Sequence, residues 1–183
     1  MGKNTIILNL DDFASDYKRN ALNWLFDFKS QYPDFKVTLF AILKLCNFDL
    51  LASVSKYKWI KLAAHGLLHD SNKECLEWNK ESWQTVLDTY NYPNFFFEKG
   101  FKSPDYQMNQ LGYEMLKKNG WWVACRKHQI KDLPKGMKYY CFETTPGGVS
   151  GHTWLMEAHQ KEGKFKWNKD TKFDFCSQHL EVK

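Results

Sequence analysis

The chain has 183 residues, 43% of them hydrophobic, which is ample for one sizeable core and short for two. Its 26 lysines and arginines against 21 acidic residues give a net charge of +5, but the basic residues are scattered, so no dedicated nucleic-acid surface is expected. No apolar run approaches the ~18 residues of a membrane span, so no membrane partner is expected either.

Five cysteines, Cys46, Cys75, Cys125, Cys141 and Cys176, are odd in number, widely spaced and without a CxxC pair. That pattern argues against a disulfide framework or a cysteine zinc site and for a reducing compartment. The first residues lack the apolar region of a signal peptide, and Ile6 stands where a myristoylation signal wants Ser or Thr. A cytoplasmic protein is the expectation.

Residues 5–10 are β-branched and apolar almost throughout, the pattern of a parallel strand buried on both faces, and they end in Asp11 and Asp12. From Ser15 the apolar positions Tyr17, Ala21, Trp24, Leu25 and Phe28 recur at helical spacing until Pro33, which predicts an amphipathic helix. Residues 36–43 read as a second strand, 49–57 as a short helix and 59–64 as a third strand, which puts His65 at a strand's C-terminal end. Residues 80–90 are helical in pattern, and 94–101 form a fourth strand leading into Lys102-Ser103-Pro104. A helix over 109–119 carries Leu111, Met115 and Leu116 on one face and closes at Gly120, before a fifth strand over 121–125. Beyond it the chain reads as strand-like pieces at 139–143, 154–156 and 173–176 between Gly- and Lys-rich turns. No repeat or linker marks a boundary, so residues 1–183 are read as a single domain.

Alternating strands and helices imply a parallel sheet, open or closed into a barrel, with functional groups gathered at the C-terminal ends of the strands. Asp11, Asp12, His65 and Lys102 all fall there. His65 and His69, four residues apart, can reach one metal ion if the backbone folds tightly after the strand, and a zinc-type ion is the first candidate. The intervening Gly66-Leu67-Leu68 lacks the glutamate of a helical HExxH metalloprotease, so a carboxylate from elsewhere must complete the site. The Asp11-Asp12 pair is the best candidate, against the plainer reading of a helix N-cap before Ser15. Asp70 is read as an exposed acid, and His128 and His159 as surface residues. The aromatics, 14 Phe, 9 Tyr and 8 Trp, are mostly core, with a few free to stack on sugar rings.

Four short segments in register over about residues 5–125 together resemble the polysaccharide deacetylase family, the NodB-type carbohydrate esterases. Leu8-Asn9-Leu10-Asp11-Asp12 is similar to the family's strand ending in two aspartates, and Val37-Thr38-Leu39-Phe40 to its second strand. His65-Gly66-Leu67-Leu68-His69 resembles the metal-binding H-[ST]-x-x-H element, with Gly in place of Ser or Thr. Phe101-Lys102-Ser103-Pro104, followed by Asn109, Leu111 and Leu116 up to Gly120, resembles the segment that begins R-x-P-[YF].

The resemblance implies an α/β fold, an irregular (β/α) barrel of about seven strands. It implies a divalent metal, zinc first with cobalt, manganese or nickel as alternatives, held by Asp12, His65 and His69, with Asp11 as general base. The family's late histidine, a general acid, is best matched by His152, with His179 as the other choice. The implied activity is hydrolysis of N-acetyl groups on an amino sugar or a small acetamide. The alternatives are a catalytically impaired carbohydrate- or metal-binding protein on the same barrel, or a metal-dependent hydrolase of another bond. Three departures stand out. Phe13 replaces a glycine and is expected to narrow the rim of the site. Lys102 stands where an arginine orients the base, and a lysine lacks the bidentate fork; Lys102 and Pro104 are the residues expected to orient substrate or base. No segment matches the family's tryptophan-bearing fourth motif, although Trp121 and Trp122 lie nearby.

Overall fold

In the computed structural model, which describes residues 5–16, 21–91, 97–155, 158, 162–163 and 167–183, the β/α alternation is carried by nine strands and five α-helices. The strands are β1 (Thr5–Phe13), β2 (Val37–Ala41), β3 (Ile60–His65), β4 (Phe97–Lys102), β5 (Trp122–Ala124), β6 (Lys138–Tyr140), β7 (Gly148–His152), β8 (Lys172–Asp174) and β9 (Glu181–Val182). The helices are α1 (Leu22–Gln31), α2 (Phe48–Val54), α3 (Glu74–Glu77), α4 (Lys80–Tyr90) and α5 (Gln110–Lys118). The strands join one sheet in the order β7-β1-β2-β3-β4-β5-β6-β9, with β8 paired to β1. Every pairing is parallel except β6 with β9. Seven parallel strands, β7 and β1 to β6, form the barrel wall.

The sheet curls into a half-barrel, because side chains from strands far apart in its order meet inside it. Lys102 on β4 reaches Asn9 on β1 and Ser150 on β7. Period-2 alternation sorts each strand between two environments. Leu8, Leu10, Val37, Leu39, Leu62, Ala64, Phe101 and Val123 face outward into the large core shared with the helices. Ile7, Phe40, Ala63, Trp122, Ala124, Tyr140 and Cys176 fill the lumen. A strand buried on both faces is apolar throughout, which is why β1 is so legible in sequence.

The helices are held by local signals. Asn79 caps α4 and Asn109 caps α5, each side chain accepting the backbone N–H three residues on. Asn109 also accepts from Trp83 Nε1 and donates to the carbonyls of Leu76 and Trp78, so one cap ties α5 to α4 and to the end of α3. Gly112 lets α5 approach that point, since a Cβ there would lie 2.3 Å from the Trp83 ring.

Three expectations are corrected. Of the strand expected over 154–156, the described residues Trp154 and Leu155 are not extended: Thr153–Leu155 is a 3-10 turn, and the pairing partner of β1 is the preceding Gly148–His152, whose two glycines hide its strand character. Residues 173–176 and 139–143 give only the short β8 and β6. Phe13 does not narrow the rim, because it is fully buried in the outer core. The first helix is described from Leu22, with Ser15 and Asp16 in a bend; Tyr17, residues 94–96 of the expected fourth strand, Met156 and His159 lie outside the described residues. No helix of the described residues is long and apolar enough to cross a membrane.

Candidate metal centre and catalytic pocket

Adjacent residues on a strand point to opposite faces, yet Asp11 and Asp12 reach the same pocket. The register between β1 and β2 slips between Leu10 and Phe13, and Asp12 takes φ 63°, a left-handed conformation that breaks the alternation. Both carboxylates therefore turn into the lumen mouth while Phe13 returns to the outer core.

His65 closes β3 and is buried. Its Nδ1 lies 2.9 Å from the Lys102 carbonyl oxygen. A carbonyl only accepts, so Nδ1 donates to it and Nε2 is left facing the pocket. The loop that brings His69 back to His65 is left-handed at Gly66 (φ 61°) and at His69 (φ 54°). It is fixed by the buried carboxylate of Glu74, which accepts from Leu67 N (3.0 Å), Leu68 N (2.8 Å) and His69 N (3.1 Å). A Cβ at residue 66 would lie 2.5 Å from Glu74 Oε2 and 3.0 Å from Pro104 Cγ, so glycine is what this close packing admits. Pro104 thus packs close to this loop.

Ligand atoms of Asp12, His65 and His69 all lie within 4.8 Å of one another. Asp12 Oδ1 is 3.3 Å from Nε2 of both histidines, and it accepts no hydrogen bond of good geometry among the described residues. A carboxylate oxygen buried without a hydrogen bond converges here on the same small space as two imidazole nitrogens 3.3 Å away, so this donor set fits a divalent ion. Burial works against the charge on Asp12, yet the His65 and His69 rings and the Trp154 N–H beside it hold the carboxyl well below the usual carboxylate range.

Lys102 is almost fully buried. Its Nζ is 2.7 Å from Asp11 Oδ2 and 3.0 Å from both Asn9 Oδ1 and Ser150 Oγ, one acceptor for each of its three N–H bonds. Burial disfavours the ammonium, but the charge of Asp11 raises its pKa above the ordinary lysine value. Asp11 Oδ1 is buried and without a hydrogen-bond partner among the described residues. His152 ends β7, opposite Asp11 in the parallel register, and lines the same pocket. His179 instead pairs with Asp174 at 3.2 Å, away from this pocket, and is half-buried. His128 and Asp70 are exposed.

The pocket has a volume of about 320 Å³. Tyr106, Phe142 and Arg126 form part of its wall, with the guanidinium 4.7 Å from the Tyr106 ring centre. Trp121 and Trp122 are core residues, and the tryptophan that meets the Asp-His-His cluster is Trp154. Sequence reading had missed Asn9, Ser150, Glu74, Tyr106, Arg126 and Trp154. Asn9 and Ser150 lie two residues before Asp11 and His152, so strand alternation was a usable signal for them. Glu74 and Trp154 carried none, because each meets its partner through a turn.

The fold and the pocket define the class: a curled parallel (β/α) half-barrel with an Asp-His-His cluster at its mouth. Its structural neighbours are polysaccharide deacetylases and esterases of the CE4 family. A peptidoglycan N-acetylglucosamine deacetylase superposes with a TM-score of 0.60 at 11% identity, over 95% of this chain and 86% of that one. An acetyl xylan esterase from Clostridium thermocellum, in complex with a cobalt ion, gives 0.52 at 11% identity, over 95% and 89%. A CE4 family pseudoenzyme from Bacillus anthracis gives 0.54 at 12% identity, over 97% and 65%. At these identities the likeness is one of fold. No protein-family model matches the chain, and no curated protein does.

Proposed function

We propose that the chain is a metal-dependent amide hydrolase that removes N-acetyl groups from an amino sugar or a related carbohydrate, with residues 1–183 as one catalytic domain. The observation that carries this reading is the meeting, in one pocket, of a three-residue ligand set with a carboxylate and an imidazole outside that set. Asp12, His65 and His69 would hold the ion, zinc first and cobalt, manganese or nickel after it, and three protein ligands leave room for water. When bound, the ion polarises the acetyl carbonyl and acidifies a water.

The residues outside the ligand set divide the proton work. Asp11 is the base: Lys102 holds Oδ2, and Oδ1 is the oxygen left to take a proton. His152, across the parallel register from Asp11, gives a proton to the departing amine. Lys102 positions Asp11 by a single contact, where a guanidinium would make two. Five free thiols, four of them buried, agree with a reducing, cytoplasmic setting.

That single contact favours a second reading, a binding protein on the same barrel with little turnover. The deciding experiment is acetate release from N-acetylglucosamine oligomers by chain dialysed against chelator and then reloaded with Zn²⁺, Co²⁺ or Mn²⁺. Metal-dependent release supports the hydrolase. Tight metal uptake with no release from these oligomers or from a small acetamide supports the binding protein, and release of phosphate from phosphoesters instead would redirect the chemistry.

A further inference from the structure

The turn that follows β7 touches Asp12 twice. Thr153 Oγ1 donates to the Asp12 backbone carbonyl at 3.3 Å, and Trp154 Nε1 donates to Asp12 Oδ2 at 3.1 Å. Asp12 has φ 63°, a left-handed conformation that L-residues rarely adopt and that persists where the surroundings over-determine it. These two bonds supply that determination. They also choose the ligand atom: with Oδ2 taken by the indole, Oδ1 alone is turned toward the two imidazoles, 3.3 Å from each Nε2.

The indole is otherwise conspicuous for what it does not bury. Trp154 is 52% exposed, and its ring centre lies 5.7 Å from that of His152, which lines the pocket. A tryptophan kept for packing hides its ring and leaves its N–H to find a partner. Here the N–H is engaged at the metal site and the ring is left in water beside the pocket.

We propose that Trp154 has two tasks: its N–H clamps Asp12 as a one-oxygen metal ligand, and its exposed ring is the platform on which the sugar bearing the acetamide stacks. This inference rests on the hydrolase reading above and adds to it the residue that joins metal site to substrate site. The apolar C–H face of a pyranose and the face of an indole are complementary in shape and polarity, and an immobile indole held by its N–H offers such a face at little entropic cost.

Two variants separate the tasks, and the half-exposed position leaves the core intact in both. Trp154→Phe keeps a ring and removes the N–H; Trp154→Leu removes both. Zn²⁺ affinity is read by competition with a chromogenic chelator, and binding of N-acetylglucosamine oligomers to the Zn²⁺-loaded chain by calorimetry, so neither readout needs turnover. Both variants should weaken Zn²⁺ by about 10–100-fold, the usual effect of losing a partner that orients a ligand. Trp154→Leu alone should also weaken oligomer binding roughly five- to tenfold, the worth of an aromatic contact. Unaltered Zn²⁺ affinity in Trp154→Phe overturns the clamp, and wild-type oligomer affinity in Trp154→Leu overturns the platform. A wild type that takes up no Zn²⁺ defeats the metal reading and the clamp together, whereas normal uptake by wild type and Trp154→Phe alike defeats the clamp alone.

Discussion

Asp11 and Asp12 are chemically identical neighbours, and their surroundings separate them. Asp12 faces two imidazoles and Asp11 faces an ammonium. Metal content after dialysis should therefore collapse in Asp12→Asn, His65→Ala and His69→Ala, and full retention in all three would remove the site. Asp11→Asn should keep the metal while turnover falls by about 10²–10⁴, the usual contribution of a positioned proton acceptor. If Asp11→Asn strips the metal instead, the two roles are exchanged or shared. Lys102→Met should be costly for a different reason. It leaves Asp11 as a buried unpaired charge and takes one donor from Asn9 and Ser150, which keep their bond to each other, a loss on the order of 3–5 kcal/mol by chemical denaturation. A fall below 1 kcal/mol would mean that the Lys102–Asp11 pair contributes little to the fold.

At the scale of elements, the loop between β3 and α3 brings His69 back beside His65 and Asp12. One carboxylate, Glu74, gathers the N–H groups of Leu67, Leu68 and His69 and so fixes where the second imidazole points. Glu74→Gln can still accept through its carbonyl oxygen but turns its amide toward a backbone donor, so metal affinity should drop about tenfold or more, with α-helical content unchanged by circular dichroism. Gly66→Ala should do the same harm from the other side. It places a methyl 2.5 Å from Glu74 Oε2 at a positive φ, and the expected signature is lost metal at a melting temperature lowered by a few degrees. Normal metal affinity in Gly66→Ala would show that the loop has room the packing denies. Gly112→Ala, where a Cβ would meet the Trp83 ring at 2.3 Å, is the control: it should destabilise the α4–α5 contact and leave metal binding alone.

For the whole molecule, the charges at the barrel mouth tie stability to pH and to metal. Lys102 has its folded pKa raised above the unfolded value, so its contribution is complete below about pH 10.4 and is lost as the pH rises through the higher folded value. Asp12 has its folded pKa lowered, so its contribution is present above about pH 3.9 and is lost as the pH falls toward the lower folded value. In chelator, the stability gap between wild type and Asp12→Asn should be level from pH 5 to pH 8 and should shrink only in acid; a gap that widens in acid contradicts the sign. Saturating Zn²⁺ at about 100 times its dissociation constant should add about 2.7 kcal/mol, or roughly 5–10 °C in melting temperature for a chain of this size, and chelator should remove it.

The sequence by itself determined the strand ends. Residues 5–10, 59–64 and 80–90 carry patterns so regular that β1, β3 and α4 follow from them, because a strand buried on two faces is apolar throughout and an amphipathic helix repeats every 3.6 residues. With the strand ends come the positions of Asp11, Asp12, His65 and Lys102 at the barrel mouth. What only the tertiary structure decided lies in the turns and across the lumen. Nothing in the local pattern announces that a left-handed Asp12 sends both aspartates inward, that Glu74 gathers the amides of the histidine loop, or that residues 153–155 form a turn laying an indole on Asp12. Each of these is a contact between segments, set by how far the sheet curls and by which backbone N–H groups the fold leaves to be satisfied, and such demands exist only once the strands have met.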